Sequence, residues 1–575
     1  MNTNHSQDKA LTQLWTDVFL LTLFSVIYFL LFLGGHHLLI PDEGRYPEIA
    51  REMLTSGNWT TPTINGVPFL DKPIMYYWLE AFSMKLFGVH AFSIRLPMAL
   101  FGALGVPIMY CFGRKFYNRR TGLLAAGILA SAPLYFLAGH YANMDLEVAT
   151  FLWISAFLFI LGLQHPWKSK QRRWILYLAY AVAGGAALTK GMMGFVFPAM
   201  MVGLWVILTN NWRTIRELHL PEGVIIFLII TVPWVWAVQL QNPDFLYYFF
   251  YYQQVDRFVG AGFNNALGPW FYFAVVFVAI LPWSIIMLCR LNKGRLLLWK
   301  NRHKDPVTLM ILLWVVSIFI FFSIPASKIV GYILPIIPPL CLLVAKALDS
   351  LIKNGVTKGF RITFAIGSFI LFCMGVTLLV FPLCQSKIPM GQLYPVFIPM
   401  GIIMILGAIY TYGNFKLGKL VKAIVTIMVT MAIFNVSVLL VVDAFDKKSS
   451  APLIEQVKEY IKPDTKIISY EGYREDLPLL LKRKVYIVYD WHNPDLMNTD
   501  NWAREFRFGI SEYKTVHNNQ WPEWYLDHAD FTVMWKADPS VIVFTNEGYY
   551  QQLEKTLVPK PKLLATYRGQ VVFKQ

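Results

Sequence analysis

Acidic and basic residues gather where the apolar runs of this sequence end, in a pattern suited to chemistry on a phosphorylated substrate. Asp42 and Glu43 stand directly after the first apolar run, followed by Arg45, Tyr46, Glu48, Arg51 and Glu52. Asp71-Lys72-Pro73 comes next, and then the aromatic group Tyr76, Tyr77 and Trp78. Further along, Asn143-Met144-Asp145 opens an apolar run behind His140 and Tyr141, and Lys190 lies between two others. Asp256-Arg257 closes the aromatic stretch Phe245 to Tyr252, and Lys328 and Tyr332 begin another run. Lys and Arg are suited to holding a phosphate, Arg through its fork of N–H donors and Lys as a point charge. A nearby carboxylate can take a proton from an attacking hydroxyl or orient a sugar. Charged side chains are costly beside a bilayer, so a collection of them at the ends of apolar runs points to function.

The elements that position these residues are membrane spans. Of the 575 residues, 56% are hydrophobic, and the mean hydropathy is +0.47. Soluble globular chains are about 45–50% apolar. Here the apolar residues collect in long runs such as Val18 to Leu39 and Val421 to Val442. At about 1.5 Å per helical residue, such runs cross a hydrocarbon core of about 30 Å. The first is too long for a signal-peptide core and lacks a small-residue cleavage site, so it is expected to remain as an anchor. The expected fold class is a polytopic α-helical membrane protein with about thirteen spans, centred near Phe29, Gly102, Gly127, Ala156, Ala181, Met201, Ile229, Phe277, Val315, Leu340, Phe369, Ile402 and Ile433. The net charge of +16 belongs to loops of such a protein, and a nucleic-acid partner is not expected. The five cysteines show neither ligand spacing nor a disulfide framework.

Basic residues mark alternate connections: Arg114 to Arg120, Lys168 to Arg173, Arg213 and Arg216, Arg290 to Lys304, Lys353 to Arg361, and Lys416 to Lys422. The positive-inside rule makes these cytoplasmic, with the N-terminus. The connections 41–90, 139–147, 243–269 and 382–393 then face outward, and they carry most of the candidate site. The first outer loop reads as a short helix, Asp42 to Leu54, ended by Gly57-Asn58, and a second amphipathic stretch, Ile74 to Phe87. Residues 1–442 are read as the membrane catalytic domain. From about Asp443 the composition turns polar, and 443–575 reads as a small α/β domain outside the membrane. Its expected strands are Lys466 to Tyr470, Val485 to Tyr489 and Val541 to Thr545, with helices Leu453 to Ile461 and Tyr549 to Leu557. A hairpin around Arg568-Gly569 closes it. Nothing in this stretch reads as catalytic.

Several of these residues also have plain structural readings. Glu48, Arg51 and Glu52 suit the solvated side of an interfacial helix, Lys328 suits a side chain snorkelling from a span end, and Lys72 suits a salt bridge with Asp71.

The ordered set of motifs resembles the bacterial lipid A aminoarabinose transferase family. Pro41-Asp42-Glu43-Gly44-Arg45-Tyr46, Ile49 to Leu54, Gly57-Asn58-Trp59 and Asp71-Lys72-Pro73 with Tyr77-Trp78 carry the opening of that likeness. Asn143-Met144-Asp145, Leu188 to Gly191, Gly268-Pro269-Trp270, Leu281-Pro282-Trp283 and Tyr332 to Pro335 continue it across the membrane region. The resemblance implies a GT-C glycosyltransferase with juxtamembrane helices in the first outer loop. It also implies an undecaprenyl-phosphate-linked sugar as donor, a lipid A phosphate as acceptor, and a periplasmic active site at the bacterial inner membrane. It implies catalytic roles for Asp42, with its neighbour Glu43, and for Asp145. Lys72, Arg257, Tyr332 and Lys190 would hold the donor phosphate, and Arg45, Tyr46, Asp71 and Lys328 would contact substrate. Where the family usually carries Glu, this chain has Asp71. Where it tends to carry His before an Arg motif, this chain has Gln253-Gln254-Val255-Asp256-Arg257. Asp71 and Gln254 therefore stand at a divalent-metal position of the family, and Asp with Gln makes a poor zinc site.

Other classes remain open at this point. A polyprenyl-dependent transferase acting on protein or another glycan shares the opening motif. A lipid or sugar transporter would place its charges near the bilayer midplane on broken helices with internal repeats, which this sequence does not show.

Overall fold

The structure, a computed structural model, describes residues 2–256, 267–288, 302–385, 388, 390–497 and 502–575. The chain divides into two compact units, one of Met1–His36, Arg95–Val232 and Asn265–Phe445, the other of His37–Ile94, Pro233–Asn264 and Asp446–Gln575.

The first unit is helical. Among the described residues of the chain, nine helices are long and apolar enough to cross a membrane: Asp8–Leu30, Ala91–Phe116, Asp145–Gln164, Leu220–Gln241, Pro306–Ser323, Val330–Asn354, Lys358–Cys384, Met390–Lys416 and Leu420–Leu439. The other expected centres fall on Arg119–Ser131, Lys170–Lys190, Met193–Thr209 and Phe271–Ala279, which are helices as well. Side chains cap several of them where the sequence offers a polar residue before an apolar run: Asn118 accepts from the Thr121 N–H, Ser169 from Arg172 and Thr357 from Phe360. Lipid supplies little hydrophobic drive between helices, so close packing must hold them together. A Cβ on Gly113 would lie 2.8 Å from the Gly122 Cα, and one on Gly375 would lie 2.8 Å from the Gly401 carbonyl oxygen. These glycines let paired backbones meet.

The first apolar run extends to Leu39, yet its helix ends at Leu30. The reason lies in a distant cation. Fully buried Arg95 donates to the Leu33 and His36 carbonyls at 3.1 Å each, and its second amino group lies 3.0 Å from His36 Nδ1. Those bonds satisfy carbonyls beyond the helix end in a turned conformation, with Phe32 at φ 56°.

The second unit opens with the helix Asp42–Ser56, ended by Gly57 in the left-handed region at φ 72°. Strands β1 (Thr63–Ile64) and β2 (Val67–Pro68) follow. Asn65 and Gly66, at φ 48° and 86°, form the two-residue turn between them. Asn65 is buried and exchanges hydrogen bonds of 2.9 and 3.0 Å with the Val485 backbone. The helix Met75–Phe87 and the π-helix Tyr247–Asp256 belong to the same unit.

The rest of that unit is a mixed α/β fold. Strands β3 (Lys466–Tyr470), β4 (Tyr486–Val488), β5 (Tyr525–Leu526), β6 (Val541–Asn546), β7 (Lys562–Tyr567) and β8 (Gln570–Lys574) make one sheet in the order β5-β4-β3-β6-β8-β7. β3 is parallel to β4 and β6, whereas β8 runs antiparallel to β6 and β7. The central β6 is buried from Val541 to Thr545, as a continuous apolar run predicts for a strand covered on both faces. Ile468, Val543, Phe531, Trp535 and Phe573 meet in its core. The expected strands and hairpin are therefore present. The helices Trp502–Val516 and His528–Ala537, and strand β5, are additional to those expected.

Candidate active site

In the second unit the chemistry-bearing residues of segment 41–90 are locked in place by residues from far along the chain. Asp42 is the first residue of its helix, half-buried at the end where the backbone dipole favours negative charge. Glu43 is buried, and its Oε2 accepts from the Leu39 N–H at 2.8 Å. One turn on, Arg45 pairs with Glu505 at 2.9 Å. Arg45 also lies near Glu475, whose carboxyl is pushed up to about 7 by burial although Arg45 pulls it down. The Tyr46 ring packs edge-on to Tyr76 at 5.9 Å and against Tyr77 at 6.1 Å. Lys72 Nζ donates to its neighbour's carbonyl, Asp71 O, at 3.2 Å.

Asp71 is buried, and its Oδ1 accepts from the Tyr248 hydroxyl at 2.6 Å and from Gln253 Nε2 at 2.9 Å. Tyr248 in turn lies flat on Phe508, ring centroids 3.7 Å apart, and the Arg504 guanidinium sits 3.6 Å over Tyr252. The structure thus brings Gln253 to Asp71; the side chain of Gln254, named from sequence, lies outside the described residues, as does Arg257. The Tyr248 hydroxyl and the Gln253 amide both donate to Asp71 Oδ1, as a buried carboxylate requires. Among the described residues no three His, Cys, Asp or Glu side chains cluster with metal-binding spacing.

The expectation that Glu48, Arg51 and Glu52 form a solvated face is overturned, because all are buried. Arg51 makes a two-pronged pair with Glu48, at 2.6 and 2.7 Å. Glu52 Oε2 accepts from Thr63 Oγ1 at 2.7 Å and from the Gly66 N–H at 3.2 Å, which ties the helix to the β1–β2 hairpin. These residues hold the loop together, and Asp42, Glu43 and Arg45 stand at its start.

A second cluster belongs to the first unit. Lys190, the last residue of its helix, is buried and forms an ion pair with Asp145 at the start of another. Its ammonium also lies 4.7 Å from the Tyr332 ring centroid. Gly331 leaves room for the pair, since a Cβ there would collide with the Asp145 carboxylate. Beside them Thr189 donates to Glu147 Oε1 at 2.8 Å. Lys328 is also buried, yet it turns back to donate to the carbonyls of Phe322 (3.1 Å), Ser323 (2.8 Å) and Pro325, where it caps the end of Pro306–Ser323. The Tyr272 hydroxyl donates to Ile329 O at 3.0 Å and so steadies the segment that carries Lys328 and Tyr332.

Asp145, Lys190 and Tyr332, named separately from sequence, are therefore one group, and Arg45, Tyr46 and Asp71 share the other unit with Asp42 and Lys72. Sequence reasoning missed Tyr248, Gln253, Phe508 and Glu505. The aromatic stretch containing Tyr248 was visible, but no local pattern couples it to Asp71. If Lys190 meets charge on a reacting phosphate, replacing it with Ala is expected to cut the rate about a hundredfold or more, the usual loss when one charge-stabilising donor is removed. Lys190→Arg is expected to keep part of the rate. Initial rates at saturating donor would check both.

Helical spans, a charged connection 41–90 and a lysine–carboxylate cluster at span ends are the parts a membrane-embedded transferase needs. A family described as dolichyl-phosphate-mannose-protein mannosyltransferase matches residues 71–236. An undecaprenyl phosphate-alpha-4-amino-4-deoxy-L-arabinose arabinosyl transferase of Aeromonas salmonicida is 32% identical over 375 residues, covering 65% of this chain and 67% of that protein. One of Shewanella sediminis is 28% identical over 459 residues, covering 78% of this chain and 81% of its own. The crystal structure of ArnT from Cupriavidus metallidurans bound to undecaprenyl phosphate superposes with a TM-score of 0.82 at 26% identity, covering 97% of both chains. The chain belongs to the undecaprenyl phosphate-aminoarabinose arabinosyltransferase family, and it is a multi-pass membrane protein.

Proposed function

We propose that this enzyme transfers 4-amino-4-deoxy-L-arabinose from undecaprenyl phosphate to lipid A, with inversion at the anomeric carbon. The observation that carries the reading is the likeness to the undecaprenyl-phosphate-bound transferase over 97% of both chains. The acceptor oxygen attacks the anomeric carbon from the face opposite the phosphate. The carbon–oxygen bond to the carrier breaks, and undecaprenyl phosphate leaves with the bonding pair. Sugar transfers of this kind pass through an oxocarbenium-like state, and the growing charge on the leaving oxygen is what cations must meet. Lys72, Arg257 and Lys190 take that role in this reading, with the Tyr332 hydroxyl as a further hydrogen-bond donor to the phosphate. Asp42, with Glu43 beside it, and Asp145 are the catalytic acids, and Arg45, Tyr46, Asp71 and Lys328 contact the substrates.

The same reading makes residues 1–442 a GT-C membrane domain and 443–575 a separate periplasmic domain. It counts thirteen spans by adding Arg119–Ser131, Lys170–Lys190, Met193–Thr209 and Phe271–Ala279 to the nine, with Asp42–Ser56 and Met75–Phe87 as juxtamembrane helices. The alternation of basic connections supports a cytoplasmic N-terminus and a periplasmic site in the inner membrane. Mass spectrometry of lipid A from cells with and without the gene tests the acceptor. Loss of one aminoarabinose mass, restored by the wild-type chain, is expected. An unchanged profile in cells that express the protein overturns the acceptor and turns the search to other glycans.

A further inference from the structure

An apolar cavity of about 560 Å³ lies in the first unit among the helices Lys170–Lys190 and Met193–Thr209 and the first part of Leu220–Gln241, and neither Asp145 nor Lys190 lines it. No lining residue is charged. The lining's polar atoms are used internally: the Tyr180 hydroxyl donates to Leu218 O at 3.2 Å, and the Trp212 indole N–H to Asn210 Oδ1 at 2.9 Å. The cavity therefore offers nothing to a sugar or a polar cofactor, and its contents must be hydrocarbon. Gly194 brings one wall close: a Cβ there would strike the Ala187 backbone.

Its rim is basic. The helix Arg213–Glu217 supplies Ile215 to the lining, with Trp212 just before it, while Arg213 and Arg216 are exposed. The connection that precedes Lys170–Lys190 is fastened to that rim by Arg172, paired with Glu217 at 2.7 Å, and by Trp167 stacked on His219 at 5.8 Å. That connection adds exposed Lys168, Lys170 and Arg173. Segments 165–173 and 210–222 together hold six basic residues (Lys168, Lys170, Arg172, Arg173, Arg213, Arg216) against two acidic ones, Glu217 and Glu222. One acid is committed to Arg172, and the other lies 3.7 Å from His219.

We infer that this cavity takes one acyl chain of an anionic glycerophospholipid, whose phosphate is held at the rim by Arg213 and Arg216. Basic rims between membrane helices are suited to anionic headgroups. A cavity of about 560 Å³ is on the scale of one small ligand, about 300–1,000 Å³, so a full polyprenyl chain would not fit within it. The site is distinct from the transfer chemistry and depends only on the membrane character of the chain.

The test uses the full-length protein in nanodiscs, with native mass spectrometry to count lipids retained after release. Dioleoyl phosphatidylglycerol and dioleoyl phosphatidylcholine are the probes, with undecaprenyl phosphate as competitor. Wild type is expected to retain phosphatidylglycerol at least tenfold more than phosphatidylcholine. The exposed double substitution Arg213→Gln/Arg216→Gln should remove that preference. Gly203→Phe should remove retention itself, because Gly203 lines the cavity and a Cβ there meets nothing within 4 Å, so the ring grows into open space. Equal retention of the two phospholipids by wild type overturns the proposal, as does unchanged retention by Gly203→Phe. Displacement of phosphatidylglycerol by equimolar undecaprenyl phosphate overturns it in favour of the carrier.

Discussion

Asparagine in place of Asp42 is expected to abolish sugar transfer while the protein still inserts and folds. Asp42 begins the Asp42–Ser56 helix and is half-buried, so an isosteric amide changes its charge with little change in packing. The adjacent Glu43 carboxylate is already bonded to the Leu39 N–H, so it is not placed to stand in for the lost carboxylate. General-base removal typically costs about 10²–10⁴-fold in rate. If the acceptor group is itself an anionic phosphate, little proton removal is needed, and Asp42 acts by orienting the sugar. The assay is transfer from undecaprenyl-phosphate-linked aminoarabinose to lipid A by purified enzyme. A wild-type rate for Asp42→Asn would remove the central assignment of the site.

The largest stability effect is expected for Arg51→Ala. Arg51 and Glu48 are buried against each other at 2.6 and 2.7 Å, with Glu52 alongside. Taking Arg51 away leaves the buried Glu48 carboxyl without its hydrogen-bond partner, a loss that typically costs about 1–3 kcal/mol. A double change to apolar residues, Glu48→Leu with Arg51→Met, is expected to cost less than Arg51→Ala alone. Thermal melting in detergent would order the three proteins. Burial, with Glu52 adding to it, pushes the Glu48 carboxyl from its ordinary 4.5 up to about 8 against the pull of Arg51. The folded state then binds more protons than the unfolded one between those values. This group's contribution is full below about pH 4.5 and is lost as pH rises through about 8. Glu475 and Glu512, each raised to about 7 chiefly by burial, act in the same direction. The melting temperature is therefore expected to fall between pH 5.5 and pH 8, and a flat or rising profile would contradict this account.

The fold was legible wherever a local pattern fixes it. The helix beginning at Asp42 and ending at Gly57 follows from a helical charge pattern stopped by a glycine that can take positive φ. The core strands of the sheet follow from short β-branched runs such as Val541–Asn546. The first span is an instructive exception. Hydropathy carries it to Leu39, but the helix stops at Leu30, because Arg95 collects the carbonyls beyond its end. Trp502–Val516 was not anticipated, although Ala503, Phe506 and Ile510 recur along it at helical spacing and are buried. Its Glu505 and Phe508 nevertheless reach Arg45 and Tyr248.

By itself the sequence determined that this is a helical membrane protein with acids and bases at its span ends, and that it carries the ordered motifs of an aminoarabinose transferase. Apolar run length and motif order are properties of neighbours along the chain, so they can be read without a structure. Tertiary structure decided the pairings. Lys190 has no carboxylate near it in sequence, yet it meets Asp145 across 45 positions. Asp71 is held by Tyr248 across 177 positions and by Gln253 across 182. Glu48 and Arg51 look solvent-facing on a helical wheel but are buried once the β1–β2 hairpin and the β3–β8 fold cover them. A buried charge takes its partner from whatever element packing brings within about 3 Å, and that choice is made in three dimensions.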